Sequence, residues 1–382
     1  MPISPTLLLV AAAHFFNDIY MGFLTPLYPI AMDRFGLSLS MVGAISMVGS
    51  LASALSQPLF GLLFDRYRLN ASLYLAPLLT GAFISCMGVA SGFPAFLALL
   101  FLGCLGSAAF HPKGATVTPR LSGSHPEIGM ALFSAGGNLG FAAGPAVIAI
   151  FISLAGVRST PFLAVPAAAV ALLLALALPA RELREKTAGG ARVTWKSMLA
   201  DRRSLAVLAR LVFVNFSLTV GIRGITTFLP VHMADLGAGV TSIGVFFTAM
   251  LALGAIGSIF ISSASRRLGK RSLILGSILA GVPFALAGIL LLPSPLGGAL
   301  LILSGAIFTV SNPILLLFAQ AYAGGSPAVA SSLIMGVSWG AAGLLMMPFG
   351  GIGEAIGMRN MLLIAGAFPL VGILSCLRMP RQ

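Results

Sequence analysis

His14, Asn17 and Asp18 stand inside the first long apolar run of the chain, and their spacing puts an imidazole, an amide and a carboxylate on one helical face. A charge at the centre of a bilayer costs about 2.5–3.5 kcal/mol on insertion scales, so it persists only with a partner or a task. The face is therefore expected to turn inward. A second group, His111 and Lys113 in Phe110-His111-Pro112-Lys113-Gly114, lies late in the fourth run. A third, Arg223, lies in the seventh run, beyond Asn215. All three stretches are expected to face one cavity. An acid and two imidazoles at a similar depth can exchange protons, since imidazole titrates close to physiological pH, so Asp18, His14 and His111 are the candidate proton-coupling residues. A satisfied polar knot with a purely structural role is the plainer alternative. Lys113 and Arg223 would supply positive charge for an anionic ligand, with Asn17, Tyr20, Asn138, Asn215, Asn312, Gln320 and Trp339 as candidates for orientation and stacking.

The elements that must position these groups follow from composition. The chain is 58% hydrophobic and only 8% charged, against about 25% charged in a soluble domain. Its 382 residues, cut into apolar runs of about 20, leave room for roughly twelve membrane helices. The first is expected over about Pro5 to Ile30 and, lacking a basic region and a cleavage site ahead of it, as a retained helix. A net charge of +13 is expected to reside in loops, because no solvated basic domain exists to bind nucleic acid. Cys86, Cys104 and Cys376 lie in or at the ends of apolar runs and read as small buried hydrophobes. Neither metal-ligand spacing such as His-Glu-x-x-His nor a nucleophile-base-orienter set is present, so no metal, no cofactor and no enzymatic activity are expected. A phosphate-binding loop of the Walker type is also missing, which excludes ATP as the direct energy source.

Six runs, a polar stretch from Arg181 to Arg203 containing Gly189-Gly190, and six further runs imply an all-α polytopic membrane protein built as two parallel repeats. The expected divisions are 1–180, a linker at 181–203, and 204–382. Arg66, Arg68, Arg120, the linker cations, Arg266, Arg267, Lys270, Arg271, Arg378 and Arg381 fall on one side, with Arg34, Arg158 and Arg359 on the other. Positive residues collect in the cytoplasm, so both termini are expected there. In the fifth run, Gly136-Gly137-Asn138-Leu139-Gly140 and Gly144-Pro145 make a small-residue face suited to close helix contact.

Two sets of motifs carry a resemblance. Gly61-Leu62-Leu63-Phe64-Asp65-Arg66-Tyr67-Arg68 resembles the G-x-x-x-D-R-x-G-R signature of the major facilitator superfamily, with Arg68 in place of the second glycine. Gly61, Asp65, Arg66 and Arg68 would then form a conformational latch. His14, Asn17 and Asp18, together with Phe110-His111-Pro112, Gly136-Gly137-Asn138, Gly144-Pro145, Phe228-Leu229-Pro230, Gln320 and Met335 to Gly340, resemble the fosmidomycin-resistance group of efflux proteins. That likeness implies a major facilitator fold of twelve helices, a monomer in a bacterial inner membrane, and proton-driven export by alternating access. Lys113 stands where that group usually has a glutamate, which turns the expected substrate toward small anions of phosphonate, phosphate or carboxylate type. Import of an organic anion by proton symport and export of lipophilic drugs are the alternatives, and sodium could replace the proton.

Overall fold

The computed structural model describes residues 4–67, 71–178, 201–322 and 332–380. Among them are twelve helices of membrane-spanning length and apolarity, and no strand. They are α1 (Pro5–Phe35), α2 (Leu39–Tyr67), α3 (Ser72–Val89), α4 (Phe93–Leu121), α5 (Pro126–Ala155) and α6 (Val157–Ala177). The second series is α7 (Arg202–Asp235), α8 (Val240–Leu268), α9 (Lys270–Leu291), α10 (Pro295–Gln320), α11 (Leu333–Ile356) and α12 (Met358–Leu377). Hydrocarbon offers backbone groups no partners, so each run closes its own hydrogen bonds as a helix. Leu154, Phe162, Leu172, Leu176 and Leu374 are exposed, an apolar surface that suits lipid and would be a liability in water. Most of the linker expected at 181–203 lies outside the described residues.

The first helix runs past the expected end at Ile30, as far as Phe35. Its polar Asp33-Arg34 pair looks like loop in sequence, yet the stop comes only at Gly36, whose left-handed φ of 60° ends the helix with its N–H on the Met32 carbonyl. Arg34 extends to the carbonyls of Gly88 and Ala90, at 2.5 and 2.8 Å, and satisfies them at the end of α3. The helical ladder of α1 is interrupted at Phe23.

The chain divides into two compact units. One comprises residues 1–36, 51–188 and 238–248, and so holds α1, the later part of α2, α3 to α6 and the start of α8. Within it, Gly244 lies so close to Pro145 and Ala149 that a side chain there would overlap them, and the Ala146 N–H donates to Thr248 Oγ1 at 3.0 Å. The other unit comprises residues 37–50, 189–237 and 249–382. Within it, Gly43 packs on the backbone of Met346 and Met347, Thr227 Oγ1 donates to Ser46 Oγ at 3.0 Å, and the Glu354 carboxylate accepts the Ser40 N–H at 2.7 Å.

Candidate functional site

The first unit gathers its polar groups where α1, α4 and α5 meet. His14 Nε2 lies 3.2 Å from Asp18 Oδ2, one helical turn away on α1, and His111 Nε2 of α4 lies 3.5 Å from Asp18 Oδ1. Each imidazole is anchored from behind by a backbone carbonyl: His14 Nδ1 is 2.7 Å from the Phe133 oxygen, and His111 Nδ1 is 2.7 Å from the Ser107 oxygen. A carbonyl only accepts, so Nδ1 carries the hydrogen in both rings and Nε2 is the atom turned to the carboxylate. When both rings are neutral, two lone pairs face a carboxylate and neither ring donates to it. The geometry is attractive only with protons, or another positive species, between the imidazoles and the carboxylate.

Asn17 fixes the carboxylate. Its Nδ2 donates to Asp18 Oδ1 at 2.8 Å and to Ser107 Oγ at 3.2 Å, and its Oδ1 accepts from Thr80 Oγ1 at 3.1 Å. With both donors and its acceptor engaged, this fully buried amide ties α1 to α3 and α4. The His14 ring stacks on Phe133 with centroids 4.0 Å apart and meets the His111 ring edge-on at 5.0 Å. His14 is only 6% exposed, whereas the His111 side chain keeps 31% of its surface, so the cluster is sealed at one end and reachable at the other.

Glycines make this geometry possible. Side chains at Gly136, Gly140 and Gly144 of α5 would land on the carbonyls of Ala11, Phe15 and Ile19 of α1, so two rows with a period of four residues bring the backbones together. That approach carries the Phe133 carbonyl to His14. Gly137, one position round the helix, faces the cluster itself: a Cβ there would stand 2.5 Å from His14 Nε2 and 2.8 Å from Asp18 Oδ2.

The structure therefore brings His14, Asn17, Asp18 and His111 together. Lys113, on the same helix as His111, is buried at 1% exposure. Tyr20 is equally buried, and its hydroxyl donates to the Leu163 carbonyl at 2.7 Å. Asn138 is exposed on α5. In the second unit, buried Asn215 donates to the Ile334 carbonyl at 2.7 Å, within the π-helical turn Ser332–Val337 ahead of Trp339. The Arg223 guanidinium sits over the Trp339 ring, 5.3 Å from its centroid. Asn312 and Gln320 are partly buried on α10. Of the expected latch, Arg68 lies outside the described residues, and at Gly61, Asp65 and Arg66 only the helical backbone is described. Thr80, Ser107 and the Phe133 carbonyl escape the sequence reading, which gives Gly137 only a place in a packing face and a family motif. Ser107 had a signal, being one turn before His111.

Twelve apolar helices, with an acid and two imidazoles held between three of them, are the build of a multi-pass membrane protein. Residues 10–345 match the Major Facilitator Superfamily, and the chain belongs to that family of transporters. It is 25% identical over 376 residues to the fosmidomycin resistance protein of Escherichia coli strain K12, covering 96% of this chain and 90% of that one. It is 26% identical over 392 residues to YfnC, an uncharacterized transporter of the same superfamily from Bacillus subtilis strain 168, covering 98% and 93%. Among solved structures, a bacterial homolog of the human lysosomal transporter Spinster superposes with a TM-score of 0.77 at 16% identity, over 97% of this chain and 95% of that one. The nucleoside transporter NupG gives 0.75 at 17% identity, over 98% of both chains. At such identities the structural likeness concerns the fold.

Proposed function

We propose that the protein is a proton-coupled secondary transporter that exports a small anionic compound by alternating access. The cluster of His14, Asp18 and His111 is the observation that carries this reading. Ionisable groups inside membrane helices are costly and serve transport pathways or proton relays. Protons on the imidazoles make both contacts to Asp18 attractive, and their loss leaves acceptors facing one another. The occupied and empty clusters thus favour different conformations, which is what coupling requires. The buried cation Lys113 supports an anionic substrate, Arg223 over Trp339 offers a second positive group, and resistance in the relative's name supports export.

The same proposal places residues 1–180 and 204–382 as the two halves, with the linker at 181–203 and both termini in the cytoplasm of a bacterial-type inner membrane, in a monomer. The test is proton flux in proteoliposomes carrying a pH-sensitive dye, under an imposed pH gradient. Phosphonates, phosphates and carboxylates are offered alongside lipophilic cations. Anion-dependent proton movement that Asp18→Asn abolishes supports the reading. Full gradient-driven transport in Asp18→Asn, or a response confined to lipophilic cations, overturns it.

A further inference from the structure

We propose that His14, Asp18 and His111 form a binding site for one divalent cation of the zinc class, which enters in place of protons. Each residue offers one ligand atom, and the three atoms lie within 4.8 Å of one another. His14 Nε2 is 3.2 Å from Asp18 Oδ2 and His111 Nε2 is 3.5 Å from Asp18 Oδ1, so each imidazole nitrogen faces its own carboxylate oxygen. Bonds of about 2.0–2.1 Å in a tetrahedral zinc site put neighbouring ligand atoms roughly 3.3–3.4 Å apart, close to both of those separations. Closing on one ion draws the three ligand atoms in from the 4.8 Å within which they lie.

The surroundings match as strongly as the distances. A metal-binding histidine characteristically donates its other N–H to a carbonyl or carboxylate, which fixes the ring and presents a lone pair to the ion. Both imidazoles here do so, through Nδ1, to the Phe133 and Ser107 carbonyls. A ligating carboxylate is in turn hydrogen-bonded, as Asp18 is by Asn17. His14 Nε2 is fully buried and has no hydrogen-bond partner, although its lone pair points into the triangle. Two imidazoles and one carboxylate suit zinc, cobalt and nickel and discriminate against magnesium and calcium, which prefer all-oxygen shells. The exposed side of His111 is the entry, and it leaves a coordination position for water or an anion. No spacing motif announces this site, because its ligands come from separate helices.

The test uses the full chain freed of any histidine tag, which leaves 4 histidines. Co2+ is titrated by visible absorption and Zn2+ by calorimetry, in detergent. One equivalent is expected to bind at micromolar concentration, with the intense d–d bands of a low-coordinate cobalt site, while Mg2+ at millimolar concentration does not compete. His14→Gln and His111→Gln are expected to weaken binding at least tenfold. His125→Gln, at an exposed contact with Glu127, and His232→Gln are expected to leave it unchanged. X-ray absorption of the zinc-loaded wild type needs no variant and is expected to show two imidazoles in the zinc shell. Saturation only at millimolar metal, a shell without imidazole, or stoichiometry and affinity retained in both His14→Gln and His111→Gln would overturn the proposal. It rests on cluster geometry and not on the export reading. Zinc binding by a chain that moves no protons would sink the latter and leave the site standing.

Discussion

Substituting two glycines of α5 separates what the cluster needs from what the bundle needs. In Gly137→Ala the new Cβ would stand 2.5 Å from His14 Cε1 and Nε2 and 2.8 Å from Asp18 Oδ2, where carbon contacts are comfortable at about 3.5–4.0 Å. The ring must retreat by roughly an ångström. It is held by its stack on Phe133 and by the 2.7 Å bond from Nδ1, so the retreat sacrifices that bond. Overpacking of this kind costs about 1–3 kcal/mol, and the better helix propensity of alanine returns about 1 kcal/mol. A net loss of about 0–2 kcal/mol leaves a folded protein with a displaced cluster. Gly140→Ala meets the Phe15 backbone instead, which cannot rotate aside, so α1 and α5 must part and the loss falls at the upper end of that range or beyond. Thermal unfolding in detergent and gradient-driven proton flux are measured on both variants. Gly137→Ala is expected to melt close to wild type while losing about a hundredfold in coupled flux, by analogy with the cost of ångström-scale misplacement in other active sites. Gly140→Ala is expected to melt clearly lower. Wild-type flux in Gly137→Ala, together with equal melting of the two variants, would refute the reasoning.

Three further outcomes are expected. With 4 histidines in the chain, 15N-histidine NMR is assignable by single substitutions, and His14 and His111 should show the hydrogen on Nδ1 when neutral; hydrogen on Nε2 in either ring would contradict the carbonyl anchors. Asn17→Leu removes the amide that serves Asp18, Ser107 and Thr80, and the stranded groups should cost about 2 kcal/mol in unfolding measurements, whereas unchanged stability would show that water replaces it. Outside the membrane, the Ser204 hydroxyl, at 2.5 Å, and then the Arg203 N–H hold the Asp201 carboxylate below its usual range at the start of α7. A lowered folded value means support that is complete above the unfolded value of about 4 and is lost as pH falls through the folded one. Amide exchange in the first turn of α7 should therefore quicken on acidification in wild type, and in Asp201→Ala should be fast at every pH once the intrinsic exchange rate is divided out.

Helical spacing is short-range information, and what depends on it could be read directly. His14 and Asp18 are one turn apart in any helix, so their contact needed no knowledge of neighbours. His111 could be placed at their level by counting from the other side of the membrane. Asn17 shows the limit: its residue type suggested a ligand contact, while the structure engages both its donor hydrogens and its acceptor oxygen within the protein. In the fifth run the eye goes to Asn138, yet that side chain is exposed and the featureless Gly137 beside it touches the cluster. Which face of α5 meets α1 is a matter of packing between helices, and polarity alone does not encode it. At the level of the fold, hydrocarbon thickness made twelve helices legible. The starts of α2 and α8 group with helices distant in sequence, through small residues such as Gly43 and Gly244 whose partners no local pattern names.

Both imidazoles are oriented by main-chain oxygens, and every amino acid carries the same main-chain oxygen. The orienting carbonyls at positions 107 and 133 thus survive any side-chain substitution there, provided the helices keep their depth, although the Ser107 hydroxyl and the Phe133 ring make contacts of their own. The anchors depend instead on the glycines that set the helix spacing, where any Cβ would meet the backbone of α1.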